Sequence, residues 1–182
     1  MAATITPAED AIYTAVKSYI ESLLVDSTGA ALIPASSIVK GYPNGVAMPE
    51  GPFVALTATI QDPLNVPFES YDPNAASLVA IDITQSVQVT LQIDVYGPAA
   101  GDWARILDLA WRTEYCVNML SPACVPLYTT STVRMPLTDG EKQYEDRWVI
   151  KAELEYDPTV SVPQQYADTA TIGLINVDET YK

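Results

Sequence analysis

Asp139, Glu141, Glu145 and Asp146 form the densest cluster of carboxylates in this sequence. Oxygen ligands of that kind can hold a divalent cation. The spacing, however, lacks the Asp-x-Asp-x-Asp-Gly pattern of a calcium loop, and Lys142 and Arg147 stand among the acids. Gly97-Pro98-Ala99-Ala100-Gly101 joins a strand pattern to a helix pattern, where a phosphate-binding turn would lie. It has neither the Gly-x-Gly-x-x-Gly fingerprint nor the Gly-Lys-Ser/Thr of a P-loop. The chain contains no histidine, which removes the commonest general base, the nucleophile dyads that use it and the usual zinc ligands. Cys116 and Cys124 are too few and too close for a disulfide framework and read as buried free thiols in a reducing compartment. The expectation is a protein that is not an enzyme, with no catalytic residues, no metal and no cofactor.

The elements that would position any site are clearer than the site. Val87, Val89, Leu91, Ile93 and Val95 alternate with polar residues, a period of two that marks a strand with one buried face. Trp148, Ile150, Ala152, Leu154 and Tyr156 repeat that pattern, and Asp157-Pro158 closes the strand. Between the two strands, Asp102 offers an N-cap to one helix carrying Ile106, Leu107, Ala110, Val117 and Leu120 at helical spacing. Val125 to Met135 reads as a further strand. Near the N-terminus, Thr6-Pro7-Ala8-Glu9 is a capping box that predicts a helix from Pro7. Its stripe of Ile12, Val16, Tyr19, Ile20 and Leu23 is suited to core packing or to an oligomer contact.

Ser36 to Tyr42 and Phe53 to Ile60 read as strands separated by proline- and glycine-rich turns. Pro63, Pro67 and Pro73 interrupt the next stretch, so residues 62–80 are expected to protrude as a loop or hairpin. Leu78 to Ile83 reads as a short strand that would form a projecting hairpin with the long strand at Ser86. Residues 160–182 have too few long apolar side chains for a core of their own, yet Ile172, Leu174, Ile175 and Val177 are too apolar for an idle tail. They are expected to dock on this domain or on a neighbouring subunit. A chain of 182 residues suits a single domain and buries roughly 70% of the surface of its unfolded form. Met1 to Asp10 lacks the pattern of a secretion signal, and no apolar run reaches the roughly 18 residues of a membrane span.

Twenty-three acids against nine bases give a formal net charge of −14. No lysine or arginine occurs from Gly41 to Ala104, whereas Glu50, Asp62, Glu69, Asp72, Asp82, Asp94 and Asp102 all fall there. Such a surface repels phosphate, which argues against direct nucleic-acid binding, while a wall past which DNA slides would want this sign. Tyrosines number eleven against two phenylalanines, as suits rings with one dry and one wet end at interfaces or at the rim of a core.

Asp94-Val95-Tyr96-Gly97 precedes the helix containing Trp103-Ala104 and Trp111-Arg112-Thr113. Pro126-Leu127-Tyr128, Arg147-Trp148 and Glu155-Tyr156-Asp157-Pro158, then Gln164, Gln165 and Tyr166, follow it. In these motifs the chain resembles the tail-terminator or neck proteins of tailed bacteriophages, with Tyr96, Gly97, Trp103, Trp111, Arg112, Arg147, Trp148 and Pro158 as the structural positions. The resemblance implies an α+β domain, a mixed, mainly antiparallel sheet with two helices on one face, plus an extended loop and a C-terminal arm. It also implies a homohexameric ring that terminates the tail tube and joins the tail to the head-neck connector. The implied partners are further copies of the chain, the tail tube protein, connector or neck proteins and the sheath. DNA would pass without specific binding, and no membrane is involved. Such a protein belongs to the virion and is assembled in the bacterial cytoplasm. Asp62, Glu69 and Asp72 are the candidate channel-lining acids, and Tyr166, Ile172, Leu174, Ile175 and Val177 the candidate subunit interface. Alternatives are a head-completion or connector ring near the portal, and a monomeric adaptor.

Overall fold

The chain alternates short extended segments with three helices, and the computed structural model describes residues 3–41, 49–71, 79–135, 137–138 and 144–164. In order these are β1 (Thr4–Thr6), α1 (Glu9–Leu23), β2 (Ile38–Lys40), β3 (Phe53–Pro63), β4 (Phe68–Tyr71), β5 (Val79–Thr84) and β6 (Val87–Tyr96). There follow α2 (Ala100–Trp111), α3 (Glu114–Leu120), β7 (Val125–Arg134), β8 (Leu137–Thr138), β9 (Tyr144–Glu145), β10 (Arg147–Tyr156) and β11 (Thr159–Gln164). The fold is α+β, as the sequence implies.

A five-stranded sheet runs β2-β3-β6-β10-β7, antiparallel except for the β2 and β3 pair. The strongest alternation in the sequence occupies its centre: β6 and β10 pair from Tyr96 opposite Arg147 to Val87 opposite Tyr156. Opposite residues share a face, so Val89, Leu91, Ile93 and Val95 line up with Leu154, Ala152, Ile150 and Trp148. The helices cover this apolar face. α2 packs on β10, β7 and β6, and α1 packs on α3 and α2. Tyr19 of α1 meets Trp111 of α2 edge to face at 5.6 Å, and both are fully buried. The hydroxyl of Tyr19 donates to the Leu107 carbonyl at 3.0 Å, and the Trp111 indole N–H to the Glu153 carbonyl at 3.3 Å. Both polar tips are thus satisfied inside the core.

A second sheet, of four strands, runs β1-β11-β5-β4 and is antiparallel throughout. It is continuous with the first through two short links. Gln85-Ser86 carries β5 into β6, Asp157-Pro158 carries β10 into β11, and Gln85 N–H donates to the Pro158 carbonyl between them at 3.3 Å. β5-β6 and β10-β11 are therefore one long antiparallel ribbon that threads both sheets.

Several local expectations need correction. The first helix starts at Glu9 rather than Pro7, with Ala8 as N-cap and no side-chain cap, because Thr4–Thr6 is drawn into β1 against Thr159–Ser161. Asp102 does not cap the second helix; it lies in the first turn of α2, which begins at Ala100. There a carboxylate still favours the positive end of the helix dipole. The single helix expected beyond Asp102 is two. The Thr113 hydroxyl donates to the Ala110 carbonyl at 2.6 Å and the Thr113 backbone is extended, so the chain turns a corner into α3. Ile106 and Val117, placed on one buried stripe by spacing, lie on either side of that corner and are exposed. β5 does not form a hairpin with β6, but follows it end to end along the ribbon and pairs with β11 and β4. The Asp139-Gly140-Glu141 turn lies outside the described residues.

Candidate interaction surfaces

The face of the five-stranded sheet turned away from the helices carries the polar positions of β6 and β10, and two of its acids are buried. Asp94 is 4% exposed and Glu153 6%. Arg147, on β10, donates to Asp94 Oδ1 from Nε at 3.2 Å and from Nη2 at 3.0 Å, and Gln92 donates to Oδ2 at 2.8 Å. Arg147 also lies over the ring of Tyr96, 5.6 Å from its centroid, and Tyr96 stacks on Phe53 at 4.1 Å. Glu153 accepts from the Thr90 hydroxyl at 2.9 Å and from Gln88 at 3.2 Å. Asp94 thus has a cation as well as hydrogen bonds, whereas the donors described for Glu153 are neutral. These networks tie the central strands together across their polar face.

On the helix side, Asp108 is buried where α2 crosses β7. It accepts from the Thr129 hydroxyl, while Arg112 donates to the Thr129 carbonyl at 3.1 Å and Arg105 Nη1 lies 3.5 Å from Asp108 Oδ2. The cluster pins α2 to an edge strand that two register shifts would otherwise loosen. Here the family-like positions acquire physical roles. Gly97 adopts φ +131°, and a Cβ there would stand 3.1 Å from Pro52 and 3.2 Å from the Trp103 ring. Trp148 lies against Gly101, where a Cβ would come within 3.1 Å of its indole. Pro158 ends the ladder between the two sheets.

Cys116 and Cys124 are buried and unlinked, and burial pushes both thiols up to about 12. Burial likewise pushes the Tyr19 hydroxyl well above its usual value. All three are held neutral. Thiols in that state are poor nucleophiles. Among the described residues no three His, Cys, Asp or Glu side chains are grouped as metal ligands would be, and no helix is long and apolar enough to cross a membrane. Of the four clustered carboxylates in the sequence only the Asp146 side chain is described, and it pairs with Arg134 at 2.7 Å.

Exposed large apolar side chains occur on two sides of the molecule, with Ile106, Leu109, Val117, Tyr128 and Val133 on α2, α3 and β7, and a second group on or beside the four-stranded sheet. Ile5 is 50% exposed, Phe68 68% and, on the connection before β4, Val66 85%. Register puts Ile5, Val160 and Ile83 side by side on one face, with Val162 and Ile81 next to them. None belongs to the buried core. Thr4, Thr6, Ser161, Thr159, Asp82 and Thr84 form the opposite face, where Ser161 donates to Asp82.

The candidate channel acids fall in different places. Asp62 is exposed near the end of β3, opposite Gln88 in the five-stranded sheet, whereas Glu69 is exposed on β4, opposite Ile83 in the four-stranded one. Asp72 lies outside the described residues, as do Tyr166, Ile172, Leu174, Ile175 and Val177. Sequence reading missed the buried pairs of Asp94, Glu153 and Asp108. The available signal was the company of the two strand acids: Gln88, Thr90 and Gln92 stand on the same face of the same strand pair. A protein-family model described as phage neck terminator protein matches residues 10–180. Among curated proteins none matches at a significant level.

Proposed function

The chain belongs to the phage neck terminator protein family and is a structural component of the virion neck, and from that premise we propose that its copies close into a homohexameric ring. The ring ends the tail tube and joins it to the connector proteins below the head. The observation that carries this reading is the family match across nearly the whole chain. An apolar sheet face outside the core supports it, because such a face gains most from a second protein surface. A closed ring needs two different contact surfaces on each copy, related by a rotation that closes. No bond-making chemistry is required. Light scattering on the purified protein tests the ring, and tails of uncontrolled length in particles made without this protein test the terminator role.

In the same reading Asp62 and Asp72 face the passage through which DNA leaves, and their charge keeps phosphate from adhering, whereas Glu69, opposite Ile83, belongs to the apolar face of the four-stranded sheet. Replacing Asp62 and Asp72 by lysine leaves ring assembly intact and slows genome release. Ejection at the normal rate would remove these acids from the channel.

A further inference from the structure

Among the described residues, the apolar side chains on one face of the four-stranded sheet belong to no buried cluster. Ile5, Val160, Val162, Ile81 and Ile83 stand together on one face, with Glu69 as the acid opposite Ile83. In a chain of net charge −14, copies repel one another wherever their acids meet, so contact between copies is favoured at charge-poor surfaces. This face is one. The sequence contains a second: from Thr169 to Val177 no residue is charged, and Ile172, Leu174, Ile175 and Val177 crowd into the end of that run.

We propose that residues 172–177 of one copy dock on the apolar face of the four-stranded sheet of the next copy. The inference rests on the ring reading and names the contact that would brace it. The point of departure favours a neighbour over the same copy. The chain leaves the sheet at Gln164, the end of β11, opposite Val79 at the start of β5. Residues 165–171, Gln-Tyr-Ala-Asp-Thr-Ala-Thr, contain a single turn-forming residue, Asp168, and no glycine or proline with which to build a tight reversal onto the sheet just left. Extended, a run of that length spans about 23 Å, which is about the width of five strands. Such a length is enough to pass the edge of a four-stranded sheet. Burial of four large apolar side chains then adds an attraction that salt does not screen, unlike contacts between surface charges.

The test compares four forms of the protein by light scattering over a concentration series: the full chain, a chain ending at Gln164, Leu174→Asp and Ile83→Asp. Assembly of the full chain is expected. Loss of assembly on truncation, and at least about a thirtyfold rise in the concentration needed by Leu174→Asp, follow from losing one buried aliphatic anchor and desolvating a charge. The melting temperature of the single copy should not change in Leu174→Asp, so a folding defect in Ile83→Asp does not compromise the result. Protein carrying only Ile83→Cys is then mixed with protein carrying only Leu174→Cys and oxidised, Cys116 and Cys124 being buried. A disulfide between copies is expected. If the truncated chain assembles as well as the full one, the docking inference is overturned and the ring stands. A full chain that stays single at every concentration overturns the ring reading, and with it the neighbouring copy as occupant. An Ile83→Cys, Leu174→Cys double variant that closes within one copy, while the mixed single variants stay unlinked, gives the face to the chain's own tail and overturns the inference as well.

Discussion

The two sheets are made of the same kinds of residue and share a pair of strands' worth of continuous backbone, yet they stand in opposite energetic positions. In the five-stranded sheet the alternating Val, Leu and Ile side chains of β6 and β10 are covered by α1, α2 and α3 and are almost all fully buried. In the four-stranded sheet the alternation of Ile81 and Ile83 against Asp82 and Thr84 is just as regular, but these isoleucines are only partly buried and belong to no core. Alternation specifies a face; it does not specify what covers the face. Burial stabilises by roughly 25 cal/mol for each Å² of apolar surface removed from water, so the first sheet carries the stability of the single copy and the second holds most of its gain in reserve.

That contrast can be broken by mutation. The largest effect is expected for Trp111→Ala, which removes the edge-to-face partner of Tyr19 and the ring that spans α2 and β10. A loss of about 3–5 kcal/mol is expected in urea unfolding. Arg147→Ala comes next, because it leaves Asp94 buried without its cation. Its cost is about 3 kcal/mol, and a cost under about 0.5 kcal/mol would mean that solvent already reaches the carboxylate.

High pH should act on the same region. Cys116 and Cys124 have an ordinary value of 9.0 and are pushed up to about 12 by burial, so between these values the folded chain holds more protons than the unfolded one. Stability from the buried neutral thiols is therefore complete below pH 9 and is lost as pH rises toward about 12. A melting temperature recorded across that window should fall steadily, and a flat profile would show that the thiols are reached by water. The smallest effect belongs to the other sheet. Ile81→Ala should cost the single copy under about 1 kcal/mol, since little area is lost from the core. Its amides should also exchange with solvent sooner than those of β6 and β10. Equal costs for Ile81→Ala and a core substitution such as Leu91→Ala would abolish the distinction between the sheets.

The sequence made legible whatever depended on local periodicity. β6, β7 and β10 were readable because each is long and presents one apolar face, and the closing Asp157-Pro158 because proline cannot continue a ladder. Partnership was not readable. β5 looks like a lead-in to β6, and only tertiary structure assigns it to β11 and β4. The corner between α2 and α3 was hidden because apolar spacing runs on through Trp111-Arg112-Thr113, and a threonine hydroxyl bonding back to Ala110 leaves no trace in hydropathy. Thr6 illustrates the reverse error: a sound local capping signal was overridden by strand pairing with Thr159. Of the candidate surfaces, the exposure of Asp62 and Glu69 was foreseeable from their charge, whereas their separation into two sheets follows from β3 pairing with β6 and β4 with β5.

The link of Gln85-Ser86 beside Asp157-Pro158 gives the molecule a spine. Because β5 leads into β6 and β10 into β11 through two-residue links joined by a hydrogen bond, a pull applied to the four-stranded sheet is carried by two strands of main chain into the middle of the five-stranded one. Load placed on one sheet is thereby shared with the two most deeply buried strands of the other.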